Sequence, residues 1–185
     1  MNKIEEELKK LQQDIYADYG EERVWFYESS DNHPNLEIRE TGVNGFLGTQ
    51  NIFLLGLNPS TGKFPSKRDI KLYQLLKDKN LENIHITDLI KIRAKNEEVK
   101  EKLKDEKLVD KQILFLSKEL KIIQPKIIFT MGVDCHNLFL KKFPDYKEKV
   151  IRVIHYCANW RIYADPERVF QKISQSLDEG LKIKS

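Results

Sequence analysis

The chain has 185 residues, enough for one well-cored domain and too few for two comfortable ones. Hydrophobic residues make up 40% and charged residues 33%, a balance that excludes a disordered chain, a collagen-like fibre and a membrane protein. The formal charge of +3 neither demands nor excludes a polyanionic partner, because only a local basic patch decides that.

Ile4, Leu8, Leu11 and Ile15 recur at helical spacing and predict an amphipathic helix over 3–18 that ends near Gly20. From 21 to 50 the Asn32-His33-Pro34 sequence and Gly42, Gly45 and Gly48 break the chain into turns and short extended pieces. Residues 51–56 form a continuous apolar run bounded by a turn, the pattern of a strand buried on both faces. A helix follows over 66–77, with Ser66 as its N-cap and Leu72, Leu75 and Leu76 turned inward. A second strand spans 84–89, and the mixed charges of 95–111 read as a solvated helix face or a loop. Ile113, Leu116, Leu120 and Ile123 share a helical face that Pro125 terminates. A third strand over 126–131 passes through Gly132 into a helix reaching about Phe143, and a fourth strand covers 149–155. Asp165 and Pro166 open a last helix with Phe170, Ile173, Leu177 and Leu181 as its inward stripe.

Strands alternating with helices predict an α/β fold: a three-layer αβα domain around a mostly parallel four-stranded sheet, with an N-terminal helical extension. One domain over 1–185 is expected, with its core at 50–175. Ligands of such sheets bind beyond the carboxyl ends of the strands, which selects the loops 56–65, 88–95, 131–137 and 155–165. The N-terminus carries no apolar stretch after its charges, and runs such as 52–55 are strand-sized, so a soluble cytoplasmic protein is expected. Cys135 and Cys157 fit a reducing compartment and are too few for a disulfide framework or a four-cysteine metal site; no metal or organic cofactor is expected.

The loop after the first strand reads Gly56-Leu57-Asn58-Pro59-Ser60-Thr61-Gly62-Lys63. It is not a phosphate loop: five residues rather than four precede Gly62-Lys63, Phe64 stands where a hydroxyl should bind metal, and Pro59 removes a backbone N–H. An Asn held by a following Pro at the sheet's carboxyl edge instead projects a neutral amide that can position water or read a base edge.

Gly56-Leu57-Asn58-Pro59-Ser60 resembles the first motif of the uracil-DNA glycosylase superfamily, nearest the Gly-x-Asn-Pro form of its mismatch-specific and single-strand-selective branches. Residues 86–93 resemble the family's second-strand segment, 124–132 its Pro, apolar strand, Gly stretch, and Val153-Ile154-His155 falls where the family carries its last-strand histidine. The resemblance implies a monofunctional DNA glycosylase that flips a damaged or mismatched base out of DNA and hydrolyses its N-glycosidic bond. It implies that His155 donates to the oxygen of the leaving base and that Asn58 orients the attacking water. Leu57, Phe64 and Tyr73 are then candidates for the base pocket, the two aromatic rings as stacking platforms. Ser60 and Lys63, with Tyr156, Asn159, Trp160 and Arg161 after the last strand, are candidates for contact with DNA, Trp160 as a wedge and Arg161 on a phosphate.

The sequence departs from that family at two places. His155-Tyr156-Cys157 replaces a His-Pro-Ser-like motif, and Asp88 stands where several branches carry an Asn. A carboxylate only accepts, so Asp88 either shifts preference away from uracil or activates water in place of Asn58. The iron–sulfur branches need four cysteines and are excluded. Taken singly, Asn58 is also a good turn residue, His155 a good structural histidine and Phe64 a good packing residue. The alternatives are therefore a catalytically altered or inactive glycosylase-fold protein that binds DNA or a nucleobase or nucleotide, and an enzyme on free nucleosides or nucleotides.

Overall fold

The structure is a computed structural model of the chain, and it describes residues 2–158 and 166–184. Four parallel strands form its centre: β1 (Gln50–Gly56), β2 (Ile84–Asp88), β3 (Ile127–Met131) and β4 (Val150–Val153). They lie in the order β2-β1-β3-β4. The helices are α1 (Lys3–Tyr19), α2 (Leu36–Arg39), α3 (Lys67–Asp78), α4 (Asn96–Lys102), α5 (Glu106–Ile123), α6 (Val133–Lys142) and α7 (Pro166–Lys184), with short 3-10 turns at Gly45–Leu47 and Pro144–Lys149. The fold is the three-layer α/β architecture expected, with every strand pair parallel.

Alternation along each strand divides the interior into two cores. Ile52 and Leu54 of β1, Ile84 and Ile86 of β2, and Ile127 and Phe129 of β3 pack beneath α3 and α7. Phe53, Leu55 and Ile128 point the other way, beneath α5, α6 and α1. The N-terminal extension is therefore part of the outer layer: Leu8 and Ile15 of α1 are fully buried in that second core. The charge run at 95–111 folds into α4 and the first turns of α5, which begins at Glu106. Asp105 caps α5 by accepting from the Leu108 N–H at 3.1 Å, a bond worth about 1 kcal/mol. Val109 and Gln112 are the inward residues that carry the helix back beyond Ile113.

Strand β1 turns to β2 on one side and is followed across the sheet by β3 on the other, so the carboxyl ends of β1 and β3 form a topological switch point. The segment before β1 also reaches this edge. Val24 forms an antiparallel bridge with Ile92, the Trp25 N–H donates to the Lys91 carbonyl at 3.1 Å, and the Arg93 N–H donates to the Arg23 carbonyl at 2.9 Å. Extended pairing imposes a period of two: Val24 and Phe26 enter the second core, while Tyr27 and Trp25 pack on the first, on the side of the strand ends. No helix among the described residues is long and apolar enough to cross a membrane.

Candidate active site

A cleft of about 530 Å³ opens at the switch point. Its walls include Asn58, Phe64 and Arg93 from the chain after β1 and β2, Gly132 and Val133 after β3, His155 and Tyr156 after β4, and Trp25 and Tyr27 from the N-terminal segment. Leu57, Ser60 and Lys63 also line it. The structure thus brings Asn58, His155, Leu57, Phe64, Ser60, Lys63 and Tyr156 to one cleft.

Asn58 is held by its amide nitrogen, which donates to the Pro59 carbonyl at 3.1 Å and to the Ala94 carbonyl at 3.5 Å. With the nitrogen so engaged, the side chain's remaining function toward the cleft is its carbonyl oxygen, an acceptor. The loop bearing Asn58 is fastened along its length to the chain after β2. Leu89 N–H donates to Gly56 O at 2.9 Å, Ile90 N–H to Leu57 O at 2.9 Å and Ala94 N–H to Pro59 O at 3.1 Å. The Arg93 guanidinium closes the far end, donating to the carbonyls of Ser60 at 3.0 Å and Gly62 at 2.5 Å.

His155 lies just beyond β4, its ring stacked on that of Tyr156 at a centroid separation of 5.0 Å and an interplanar angle of 14°. The Cys157 backbone N–H donates to His155 Nδ1 at 3.0 Å. Burial, reinforced by the nearby Arg68 cation and opposed by Asp69, lowers the imidazole from its usual 6.5 to about 4, so the ring is neutral at physiological pH. A neutral ring whose Nδ1 accepts a hydrogen bond carries its proton on Nε2. Gly132 fixes this strand end to its neighbour: its N–H donates to Val153 O at 2.9 Å, and its φ of 89° is a conformation that favours glycine.

Tyr156 is buried, and its hydroxyl donates to Asp69 Oδ1 at 2.9 Å while accepting from Tyr27. The other Asp69 oxygen accepts from the Ser66 N–H at 2.7 Å in the capping box that starts α3. One carboxylate thereby joins the start of α3, the loop after β4 and the N-terminal segment. Tyr156 consequently serves as a brace for this loop; its hydroxyl is committed inside the protein and is not a contact offered to DNA.

Two further expectations are corrected. Tyr73 is fully buried in the first core, with its hydroxyl donating to Glu28 O at 2.7 Å, so it supports the Phe64 ring from behind at 5.6 Å and does not face the cleft. Asp88 is only 4% exposed and lies outside the cleft lining. Its carboxylate occupies the space over Gly56, where a Cβ would stand 2.1 Å from Oδ1. It is therefore not among the groups that line the cleft, and a side chain at 56 would have to displace the Asp88 carboxyl. Burial raises Asp88 to about 7, with Lys91 lowering it and Glu119 raising it further. Asn159, Trp160 and Arg161 lie outside the described residues.

Sequence reasoning missed Trp25, Tyr27 and Arg93 as cleft residues. The Trp25-Phe26-Tyr27 aromatic run was a visible signal, but its placement depends on pairing with a segment nearly seventy positions away. Among the described residues no group of three or more His, Cys, Asp or Glu side chains could hold a metal ion.

The uracil DNA glycosylase superfamily model matches residues 46–176, well over half of the chain. The chain belongs to the uracil DNA glycosylase superfamily. Within the superfamily fold, Asn58 and His155 stand at the carboxyl ends of β1 and β4 on either flank of the switch point. No curated protein matches the chain.

Proposed function

We propose that this uracil DNA glycosylase superfamily member is a monofunctional DNA glycosylase that hydrolyses the N-glycosidic bond of a damaged or mismatched base. The base is flipped into the cleft at the strand ends, where unstacking favours bases already mispaired or single-stranded. The observation that carries this reading is the state of His155: neutral, with its acceptor nitrogen occupied by the Cys157 N–H and its donor nitrogen available.

As the C1′–N bond breaks, the electron pair leaves with the base and negative charge grows on its carbonyl oxygen. The Nε2–H of His155 stabilises that charge by donating a hydrogen bond, and no proton need be transferred for the base to depart as an anion. The Asn58 carbonyl oxygen accepts a hydrogen bond from water and aims its lone pair at C1′, which takes up the hydroxyl. The water's proton is lost to solvent or to the departed base. An amide orients water and scarcely deprotonates it, so a modest rate follows. Lys63 and Arg68 on the cleft wall suit approach of the DNA backbone. The protein is expected to act in the cytoplasm as a monomer.

The test is incubation with labelled single- and double-stranded oligonucleotides carrying uracil, hypoxanthine, xanthine or a thymine mismatch, followed by alkali to reveal abasic sites. Strand scission at one of these bases is the expected result. His155→Ala should lower kcat about 10²–10³-fold while DNA affinity persists, the scale seen when one donor to a developing oxyanion is removed. Intact DNA binding with no scission at any base would overturn the catalytic reading.

A further inference from the structure

We propose that Trp25 is a base-contacting residue that lengthens the Phe64 platform, so that the cleft takes a two-ring deaminated base in preference to uracil. The proposal rests on the reading of this cleft as a base pocket, and it does not rest on catalysis.

Trp25 and Phe64 both line the cleft, with ring centroids 5.3 Å apart and planes inclined at 49°. Trp25 is only partly buried. Its backbone is fixed by the Val24–Ile92 bridge, and its ring is propped from behind by Tyr27, 4.8 Å away and inclined at 61°. Phe64 is braced in turn by Tyr73 and by the edge of His33 at 5.7 Å. These supports give two adjacent rings of settled orientation, which lowers the entropic cost of stacking on them.

The inclination decides the ligand. A base lying flat on Phe64 meets Trp25 along its far end and not face to face. A pyrimidine ends over Phe64; the second ring of a purine extends to the indole and gains that contact. The Asp88 carboxyl at the end of β2 is packed over Gly56 and lies outside the cleft lining, so it does not read the edge of the base. Discrimination then falls to ring length. Trp25 stands ahead of residues 46–176, the stretch that the superfamily model matches.

Trp25 and Trp160 are the two tryptophans of the sequence, so Trp160→Phe leaves Trp25 as the sole indole reporter. Its emission would be followed while free hypoxanthine or free uracil is added. Hypoxanthine should quench it saturably and bind about tenfold more tightly than uracil, as expected for one further ring stacked on an aromatic side chain. In calorimetric titrations, Trp25→Leu should reduce hypoxanthine affinity to that for uracil and leave uracil unchanged. Should Trp25→Leu fail to fold, the quenching experiment, which retains the native ring, decides alone. Equal affinity for the two bases overturns the proposal. So does emission indifferent to saturating hypoxanthine. Quenching seen with an oligonucleotide and with neither free base would assign Trp25 to a neighbouring nucleotide and also overturn it. Tight hypoxanthine binding without hydrolysis of any substrate would sink the glycosylase reading and leave this one standing.

Discussion

The backbone N–H of Cys157 donates to Nδ1 of His155 at 3.0 Å, and that bond determines which face of the imidazole can act on a substrate. The donor is a main-chain group, so the side chain at 157 is free to vary while the tautomer is kept. In His155-Tyr156-Cys157, which departs from a His-Pro-Ser-like motif, the ring is set by the turn and by stacking on Tyr156.

With the imidazole lowered to about 4, acid should not protonate it until well below the range of an ordinary histidine. The neutral donor persists as pH falls from 8 to about 5. Long-range proton–nitrogen NMR should report an Nε2–H ring whose shifts stay constant over that interval, and the acid limb of kcat/KM should not appear near 6.5. A titration of His155 centred near 6.5 would contradict the assignment.

Arg93 binds the loop of Asn58 without touching Asn58 itself. Arg93→Ala removes the two hydrogen bonds to the carbonyls of Ser60 and Gly62. About tenfold loss of kcat is expected, with KM nearly unchanged and the urea midpoint shifted little, because the loop lies at the surface. Loss confined to DNA affinity, with kcat intact, would make Arg93 a phosphate contact instead.

Tyr156→Phe keeps the ring stacked on His155 and deletes the hydroxyl between Tyr27 and Asp69. Two buried partners then lose a bond, and stability should fall by about 1–3 kcal/mol. The double variant with Asp69→Asn should cost less than the sum of the two single changes, since both break one network. Strict additivity in urea denaturation would show that the network carries no coupling.

Lys91, Glu119 and His85 are fully buried together, with Lys91 Nζ 2.8 Å from Glu119 Oε1 and His85 Nε2 3.1 Å from Oε2. Burial pushes the Glu119 carboxyl up, and Lys91 and His85 more than reverse this, leaving it lowered. Glu119→Gln takes from the buried Lys91 ammonium its paired carboxylate and should destabilise the fold by about 3–5 kcal/mol. A thermal midpoint within a degree or two of the wild type would refute it.

Asp88 gives an opposite sign. Its folded-state value near 7 lies above the ordinary 3.8, so between about pH 4 and 7 the folded state holds a proton that the unfolded state has released. Stability from this group is complete below pH 4 and is lost as pH rises toward 7. Asp88→Asn, which cannot ionise, should gain on the wild type by roughly 2–3 kcal/mol between pH 5 and 8 at about 1.4 kcal/mol per unit. An advantage that does not change with pH would rule this account out.

The strands, the switch-point loops and the placing of Asn58 and His155 just past strand ends were legible because each is signalled locally, by an apolar run ending in a turn or by a side chain just past one. The start of α3 was legible for the same reason, since Ser66 caps it directly. What stayed hidden depends on distant partners. The first turns of α5 were masked by charges on its outer face, although Val109 and Gln112 point inward. Tyr73 and Phe64 look alike as aromatic rings near the motif, and only the packing separates the fully buried Tyr73, bonded to Glu28, from the half-buried Phe64 at the cleft. Asp88 sits at the right position for a base reader, yet the absence of a side chain at Gly56 gives its carboxylate a place to fold away.

The bridge between Val24 and Ile92 joins a stretch ahead of the superfamily match to the chain after β2 at the edge of the cleft. On the proposed reading, bond breaking and choice of substrate fall in separate stretches of one chain. A substitution at 25 would then retune which base is admitted while Asn58 and His155 keep their supports, whereas one at 27 would disturb both, because Tyr27 also holds the Tyr156 hydroxyl.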